Sequence, residues 1–455
     1  MKNFVQNMIL VIALTIVILF SYAYVQNKVQ SMNPSELYHL LKNELSILQS
    51  ENNKTSDHLS DKPDTYHAVW VSYLEFNSYR NSVKTNNETA FREFFQRILD
   101  QCAQYDINHV IVHVRPFGDA LYQSEYFPWA ACISGKQGKN PGYDPLNIMV
   151  ELAHKNNIKI EAWINPYRIS SGADISELSD DNKAKIWSTS STTERNVLTY
   201  ENALYYNPAS KDVQDLINHG VKEIVEKYDV DGIHMDDYFY PTFTKDNYDK
   251  VFDAVEYEKA IKEYVISSNT SIADWRRDNV NTLVSTLYQT IKSIDNNVIF
   301  GISPAGNLSN LRSNLEYYTD IDTWVEKEGY IDYIMPQIYW GFTNEQAPFE
   351  ETLEQWIKLT KKSKVRLYIG LQLYRMGTTD QEQSDYEELQ SAELITKQLN
   401  LLKTKSIAGY CLFSYQYLDA DCKTYQFDSN EFSESRKKLL KQIATELKNR
   451  RQKSR

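Results

Sequence analysis

None of the four cysteines, Cys102, Cys132, Cys411 and Cys422, belongs to a C-x-x-C pair. Zinc-ribbon and thioredoxin-type motifs are therefore excluded. Cys102 falls in a helical pattern and Cys411 in a strand, where cysteine acts as a small hydrophobe. A Cys411–Cys422 bridge is an option only outside the cytosol. The chain has no H-E-x-x-H and no cluster with metal-ligand spacing, so neither a metal nor a cofactor is expected. No Gly-rich turn follows the first predicted strand, which argues against a dinucleotide-binding doubly wound sheet. Positive charge is in deficit: 49 Lys and Arg against 61 Asp and Glu leave a net charge of -12. General nucleic-acid binding, which needs a basic footprint, is excluded. The one basic run comprises Arg436, Lys437, Lys438, Lys441, Lys448, Arg450, Arg451, Lys453 and Arg455. It reads as a solvated helix and tail, with contact to an anionic wall polymer or lipid as the alternative.

What the chain does have is an apolar share of 42%, too high for disorder throughout. It also carries 33 Tyr, 17 Phe and 8 Trp. Most aromatics pack inside a fold, yet rings of this number could also line a sugar-binding cleft. Residues 8–24 form an apolar run broken only by Thr15, Ser21 and Tyr22, with Lys2 ahead of it. This reads as a signal-anchor helix; a cleaved signal peptide is the alternative, since Ser21 and Ala23 are small residues at cleavage-determining spacing. No cysteine follows the run, so lipid attachment is not supported. Both readings place the remainder outside the cytoplasm. Leu37, Leu41, Leu45 and Leu48 then recur at helical spacing, and a polar linker follows. The expected organisation is a membrane segment over 1–30, a stalk helix and linker over 31–65, a barrel over 66–430 and a basic helix or tail over 431–455.

Beyond the linker, short apolar β-branched runs alternate with helical patterns. Strands are predicted at 68–73, 109–115, 158–165, 232–236, 298–303, 331–337, 365–372 and 407–414. Helices are predicted between them, among others at 93–105, 145–156, 212–228, 273–294 and 392–404. Eight strand–helix repeats predict an α/β fold, a (β/α)8 TIM barrel.

Chemistry in such barrels sits where the strands end and the loops converge. Polar and aromatic residues cluster there: Arg115 and Asp119 after the second strand, Asn165, Tyr167 and Arg168 after the third, and Asn307 after the fifth. Gln337, Tyr339 and Trp340 follow the sixth. The sharpest motif is Asp231-Gly232-Ile233-His234-Met235-Asp236-Asp237-Tyr238 on the fourth strand. Alternation points Asp236 and His234 inward, and Asp237 opens the loop. Glycosidic cleavage needs one group to protonate the leaving oxygen and another to meet the oxocarbenium-like centre. Two adjacent carboxyls supply both charge states, because repulsion raises one pKa. Asp236 and Asp237 are the expected catalytic pair. Arg115, Asp119, Asn165, Tyr167, Arg168, His234, Tyr238, Asn307, Gln337, Tyr339 and Trp340 are the expected substrate-binding set, with a satisfied core histidine as the other reading of His234. Trp163 is assigned to barrel filling, Asp231 to a turn or cap, and the segment from Asp274 to Asn279 to helix initiation. Glu161 is read as either an inward ion-pair partner or an acid.

Several segments together resemble the bacterial family-10-like glycosylhydrolases. They are residues 114–124, 162–168, 231–241, 274–281, 300–304 and 332–340, and the likeness runs from His67 to Asp419. The resemblance implies an envelope or secreted protein, and at least one branch cuts peptidoglycan glycan strands that have lost their stem peptides. It carries the strand-four aspartate onto Asp236. A weaker likeness links Asp231–Tyr238 to the chitinase signature D-G-x-D-x-D-x-E. Here the middle Asp is His234 and the final Glu is Tyr238, so a chitinase assignment is excluded. The shared frame still suggests a substrate-assisted route, in which an N-acetyl group attacks. The expectation is thus an extracytoplasmic glycoside hydrolase with a polysaccharide substrate. The alternative is a wall-binding barrel without turnover, since the fifth and sixth strands end without Glu or Asp.

Overall fold

The computed structural model describes residues 66–378, 380–418 and 434–453. Eleven strands occur among them. They are β1 (Tyr66–Val71), β2 (His109–Arg115), β3 (Lys159–Ile164), β4 (Arg168–Ser170), β5 (Val197–Tyr200), β6 (Ala203–Tyr206), β7 (Gly232–Asp236), β8 (Ile299–Ser303), β9 (Tyr333–Ile334), β10 (Arg366–Gln372) and β11 (Gly409–Phe413). Eight of these close a parallel barrel in the order β1–β11–β10–β9–β8–β7–β3–β2. The predicted (β/α)8 architecture is present, each barrel strand lying within or beside its expected segment. β9 is the shortest because Pro336 has no N–H to donate. The chain still runs beside its neighbours there: Met335 N donates to Ile302 O, and Gly370 N donates to Pro336 O.

The helices between strands start where short polar side chains can cap them. Asn87 caps Glu88–Gln104, Ser210 caps Lys211–Lys227 and Ser271 caps Ile272–Ile294, each accepting from a backbone N–H. Asp144 caps Pro145–Lys155, whose first-turn proline costs no hydrogen bond. Their apolar stripes bury Phe91, Phe94, Ile98, Ile217, Ile224 and Leu283 against the outer face of the strands.

A separate cluster fills the barrel interior: Tyr66, Ala68, Trp70, Ile111, Trp163, Tyr333, Met335, Tyr368 and Cys411. Glycine makes room for the largest of these rings. A Cβ at Gly301 would overlap the Tyr333 ring, and one at Gly370 would crowd Trp70.

Two features depart from the sequence reading. β4, β6 and β5 form a small antiparallel sheet inserted between β3 and β7. Strands of three or four residues are too short to show an alternating pattern. The basic helix Glu434–Lys453 is also not a solvated tail: Leu439, Leu440, Ile443, Ala444 and Leu447 are buried, and Thr396 Oγ1 donates to Glu446 Oε2 at 2.6 Å. It packs on Glu393–Thr404 as part of the outer ring, with Lys437, Lys438, Lys441 and Lys448 exposed. The expected membrane segment, stalk and Cys422 lie outside the described residues. Among the described residues, no helix is long and apolar enough to cross a membrane.

The long loop after β7 is pinned from inside. Arg276 donates to Asp253 Oδ1 through Nε at 2.8 Å and Nη2 at 2.6 Å, and both side chains are wholly buried. Its Nη1 reaches Tyr248 O and Tyr318 Oη, and Tyr240 Oη donates to Asp253 Oδ2 at 2.9 Å. Removing one member of a buried pair strands the other charge. Arg276→Met is therefore expected to lose about 3–5 kcal/mol in chemical denaturation. The double change Arg276→Met with Asp253→Leu should recover most of that loss. Equal losses in both variants would refute this account.

Candidate active site

The inward parity of the barrel decides what faces its mouth. On β3 the inward series is Glu161, Trp163 and then Asn165; on β7 it is His234 and Asp236. The lower layer is a closed polar network. Glu161 accepts from Tyr66 Oη at 2.5 Å and from Tyr333 Oη at 2.6 Å, and burial lifts its carboxyl to about 7. It is neither ion-paired nor at the mouth. Because Tyr333 donates to Glu161, its oxygen accepts from His234 Nδ1 at 2.6 Å. That fixes the tautomer: His234 Nε2 accepts from Ser303 Oγ at 2.9 Å and Trp70 Nε1 at 3.3 Å. Burial lowers the imidazole to about 3, so it stays neutral.

Above this layer sits Asp236. Trp163 Nε1 donates to its Oδ2 at 3.1 Å, and Tyr238 N donates to its Oδ1 at 3.2 Å. Asp237 turns toward β8, where Ala305 N donates to its Oδ2 at 2.6 Å. Burial lifts Asp236 to about 7, against the lowering pull of the Tyr238 N–H, Arg168 and Trp163. Burial, reinforced by the charge of Asp236, lifts Asp237 to about 8. The two carboxyls titrate as a pair, and Asp236, with more partners for its anion, ionises first. Between about pH 7 and 8 the pair therefore holds a proton on Asp237 beside a carboxylate on Asp236. These are the two charge states that glycosidic cleavage uses.

The rim supplies rings and amides. Tyr238 is 53% exposed and lies under the Arg168 guanidinium, 5.3 Å from ring centre to Cζ. Tyr339 is partly open, its ring near Tyr374 and Phe413, and its hydroxyl has no partner among the described residues. Trp340 is likewise partly open, its indole N–H unpaired among the described residues. Gln337 Nε2 donates to Ser303 O at 2.8 Å, which orients the side chain along the rim. Asn165 Oδ1 meets His113 Nε2 at 3.2 Å, leaving its Nδ2 unpaired. Sequence reasoning missed three groups here: Trp163 as a donor to Asp236, His113 stacked on Trp163 at 3.8 Å, and Gln372, buried at the end of β10 with neither amide atom paired among the described residues. Parity alone identifies Trp163, since it shares an inward series with Asn165.

Other expected contacts are corrected. His234 is a satisfied core histidine beneath the mouth. Tyr167 is fully buried and packs against Phe239 in the outer core, because alternation ends with β3 at Ile164. Asn307 caps the short helix Leu308–Leu311, accepting from Ser309 N. The β2–β3 register shifts between His113 and Arg115. That bulge turns Arg115 away from the mouth. Its Nη2 donates to the carbonyls of Asn165 and Pro166, and its Cζ lies 4.4 Å from the centre of the Phe127 ring. Asp119 accepts from Ala131 N and Gln137 Nε2, inside the β2 loop, and burial lifts it to about 6. Asp231 serves structure as expected, accepting from Ile160 N and meeting His154 Nε2. Among the described residues, no group of His, Cys, Asp and Glu is arranged to hold a metal.

A parallel barrel with a desolvated carboxyl pair at the mouth defines the class: a glycoside hydrolase-type (β/α)8 barrel. Solved structures share the fold. The PgaB (BpsB) glycoside hydrolase domain from Bordetella bronchiseptica superposes with a TM-score of 0.54 at 11% identity, covering 79% of this chain and 97% of that one. An endo-1,4-beta-mannanase from Rhizomucor miehei gives 0.52 at 12% identity, covering 87% and 97%.

The chain belongs to the glycosyl hydrolase-like 10 family, whose profile matches residues 66–388. It is 38% identical over 354 residues to glycosyl hydrolase YngK of Bacillus subtilis (strain 168), covering 74% of this chain and 66% of that protein. It is 34% identical over 359 residues to glycosyl hydrolase DigH of Escherichia coli (strain K12), covering 74% and 80%. The match thus spans just under two thirds of the Bacillus relative's own length.

The pKa shifts predict the pH dependence of stability. Asp236, Asp237 and Glu161 are raised, so their contribution is complete below the ordinary carboxyl range and is lost as pH rises through about 7 to 8. His113 and His234 are lowered from 6.5, so they oppose this trend only below that value. Stability should therefore fall as pH rises from 6.5 to 8.5, with each fully expressed pKa unit contributing about 1.4 kcal/mol. Asp237→Asn should flatten that slope in urea titrations; a wild-type midpoint that climbs over this interval would contradict the assignment. Trp163→Phe removes a donor to the Asp236 anion. It should move the acidic limb of the pH–rate profile upward and cut turnover on the order of 10-fold.

Proposed function

We propose that this protein is an extracytoplasmic glycosidase that cuts a cell-envelope polysaccharide, with peptidoglycan glycan strands as the favoured substrate. The observation that carries this reading is the Asp236–Asp237 pair, desolvated at the barrel mouth and unequally supplied with hydrogen-bond donors. Asp237 protonates the leaving oxygen. Asp236 meets the positive charge that develops at the anomeric carbon, either directly or by orienting a substrate N-acetyl group that attacks it. Tyr238, Tyr339 and Trp340 offer ring faces to the sugar, and Asn165 and Gln337 offer amides. The chemistry needs no cofactor. Family membership and the names of the two relatives support the reaction class, and the envelope location rests on residues 8–24, taken as a membrane anchor with a cleaved signal as the alternative.

The test incubates the purified full-length protein with peptide-free glycan strands and reads new reducing ends by mass spectrometry. Wild type should release oligosaccharides, and Asp236→Asn and Asp237→Asn should each lose roughly 100-fold or more. Binding of the strands without cleavage by wild type would instead favour a wall-binding barrel without turnover.

A further inference from the structure

Among the described residues, Arg168 stands at the mouth with no counter-charge in ion-pair contact. It opens β4 at the edge of the inserted sheet, where its backbone pairs with Tyr205. Its guanidinium lies 5.0 Å from the centre of the Phe117 ring and 5.3 Å from that of Tyr238. Two rings hold it in place, yet among the described residues no carboxylate forms an ion pair with it and no protein acceptor takes its N–H groups. Arg276, by contrast, is paired with Asp253, and Arg195 with Glu256. The guanidinium influences Asp236, Tyr238, Tyr205 and His113 through space, so it lies on the Asp236 side of the mouth. His113 is neutral by burial and the Tyr205 and Tyr238 hydroxyls are raised, so none of these supplies a counter-charge. Asp236 lies beyond ion-pair distance. A stacked, partly open arginine with five free donors in a planar fork is built to take a planar, two-oxygen anion.

We propose that Arg168 binds a carboxylate carried as a substituent on the sugar next to the bond that is cut. This deepens the function proposed above and rests on it. Arg168 then determines specificity: it selects a saccharide with a free acid group over one whose acid is absent or capped as an amide. Capping removes the charge and one of the two acceptor oxygens, so the fork loses its second hydrogen bond and its Coulomb attraction together. A rival role is electrostatic only, with Arg168 keeping Asp236 ionised whatever the substrate carries. The two roles separate cleanly. Recognition acts on KM and depends on the substrate's charge; support of Asp236 acts on the pH profile of turnover and does not.

The test compares peptide-free glycan strands bearing free lactyl carboxylates with the same strands coupled to methylamine, which leaves small neutral amides. Both are offered to the full-length protein and to Arg168→Gln and Arg168→Lys. Wild type should show KM on the order of 10- to 100-fold higher for the neutral strands. Arg168→Gln should show that higher KM on the acid strands and no further loss on the neutral ones, and Arg168→Lys should recover part of it on the acid strands alone. Equal KM for both strands in wild type overturns the proposal. So does an Arg168→Gln loss that is the same on both strands and moves with the pH profile. If wild type cleaves neither strand, the hydrolase reading fails on its own, and calorimetric binding decides this one. Tighter binding of the acid strands, lost in Arg168→Gln, upholds it; equal binding of both, or binding of neither, overturns it.

Discussion

Two carboxyl groups at the mouth of a barrel have to survive almost complete loss of water. Burial alone would neutralise both, and the roles proposed for them, one acid and one anion, require that they differ. The surrounding structure decides how far each is pushed. Asp236 receives an indole N–H, a backbone N–H and the field of Arg168; Asp237 receives one backbone N–H and the repulsion of its neighbour. The same desolvation thus yields an acid and an anion from residues that are adjacent in the chain.

Holding that difference requires rigid neighbours. The interior network of Glu161, Tyr333, His234 and Ser303 carries its protons in one consistent arrangement and supports the layer on which Trp163 and Asp236 stand. The glycine at position 301 exists to let the Tyr333 ring cross the barrel. The loop that leaves Asp237 is anchored 16 residues further on, where Asp253 is clamped by Arg276 and Tyr240. On the other side, the inserted sheet brings Arg168 over Tyr238. The mouth is therefore bounded by elements tied to the core, while Tyr238 remains open for a partner.

Much of this was legible in the chain. All eight barrel strands announced themselves, because a parallel barrel strand is a short apolar run between amphipathic helices and both patterns are local. Alternation along β7 placed Asp236 inward correctly, and the strand-start position of Asp231 marked it as structural. The failures share a cause. Arg115 follows a bulge that reverses parity, and no side-chain pattern signals a bulge. Tyr167 lies past the end of β3, where alternation no longer applies. His234 stayed open between core and cleft, since parity says which way a side chain points and not whether it lies at the mouth or one layer below. The terminal helix looked solvated because its lysines dominate the sequence, although Leu439, Leu440, Ile443 and Leu447 form the stripe that docks it.

Sequence alone determined the architecture, the position of the carboxyl pair at a strand end and the absence of a dinucleotide turn, all of which follow from neighbours a few residues apart. Only the tertiary structure decided the protonation of Asp236 and Asp237, the isolation of Arg168 and the retirement of His234 into the core. Those properties depend on desolvation and on hydrogen bonds between distant positions: Trp163 and Asp236 are 73 residues apart, Asp237 and Ala305 are 68 apart, and His234 and Tyr333 are 99 apart. Closing the barrel brings them together, and no local pattern can report a charge state set by partners so far along the chain.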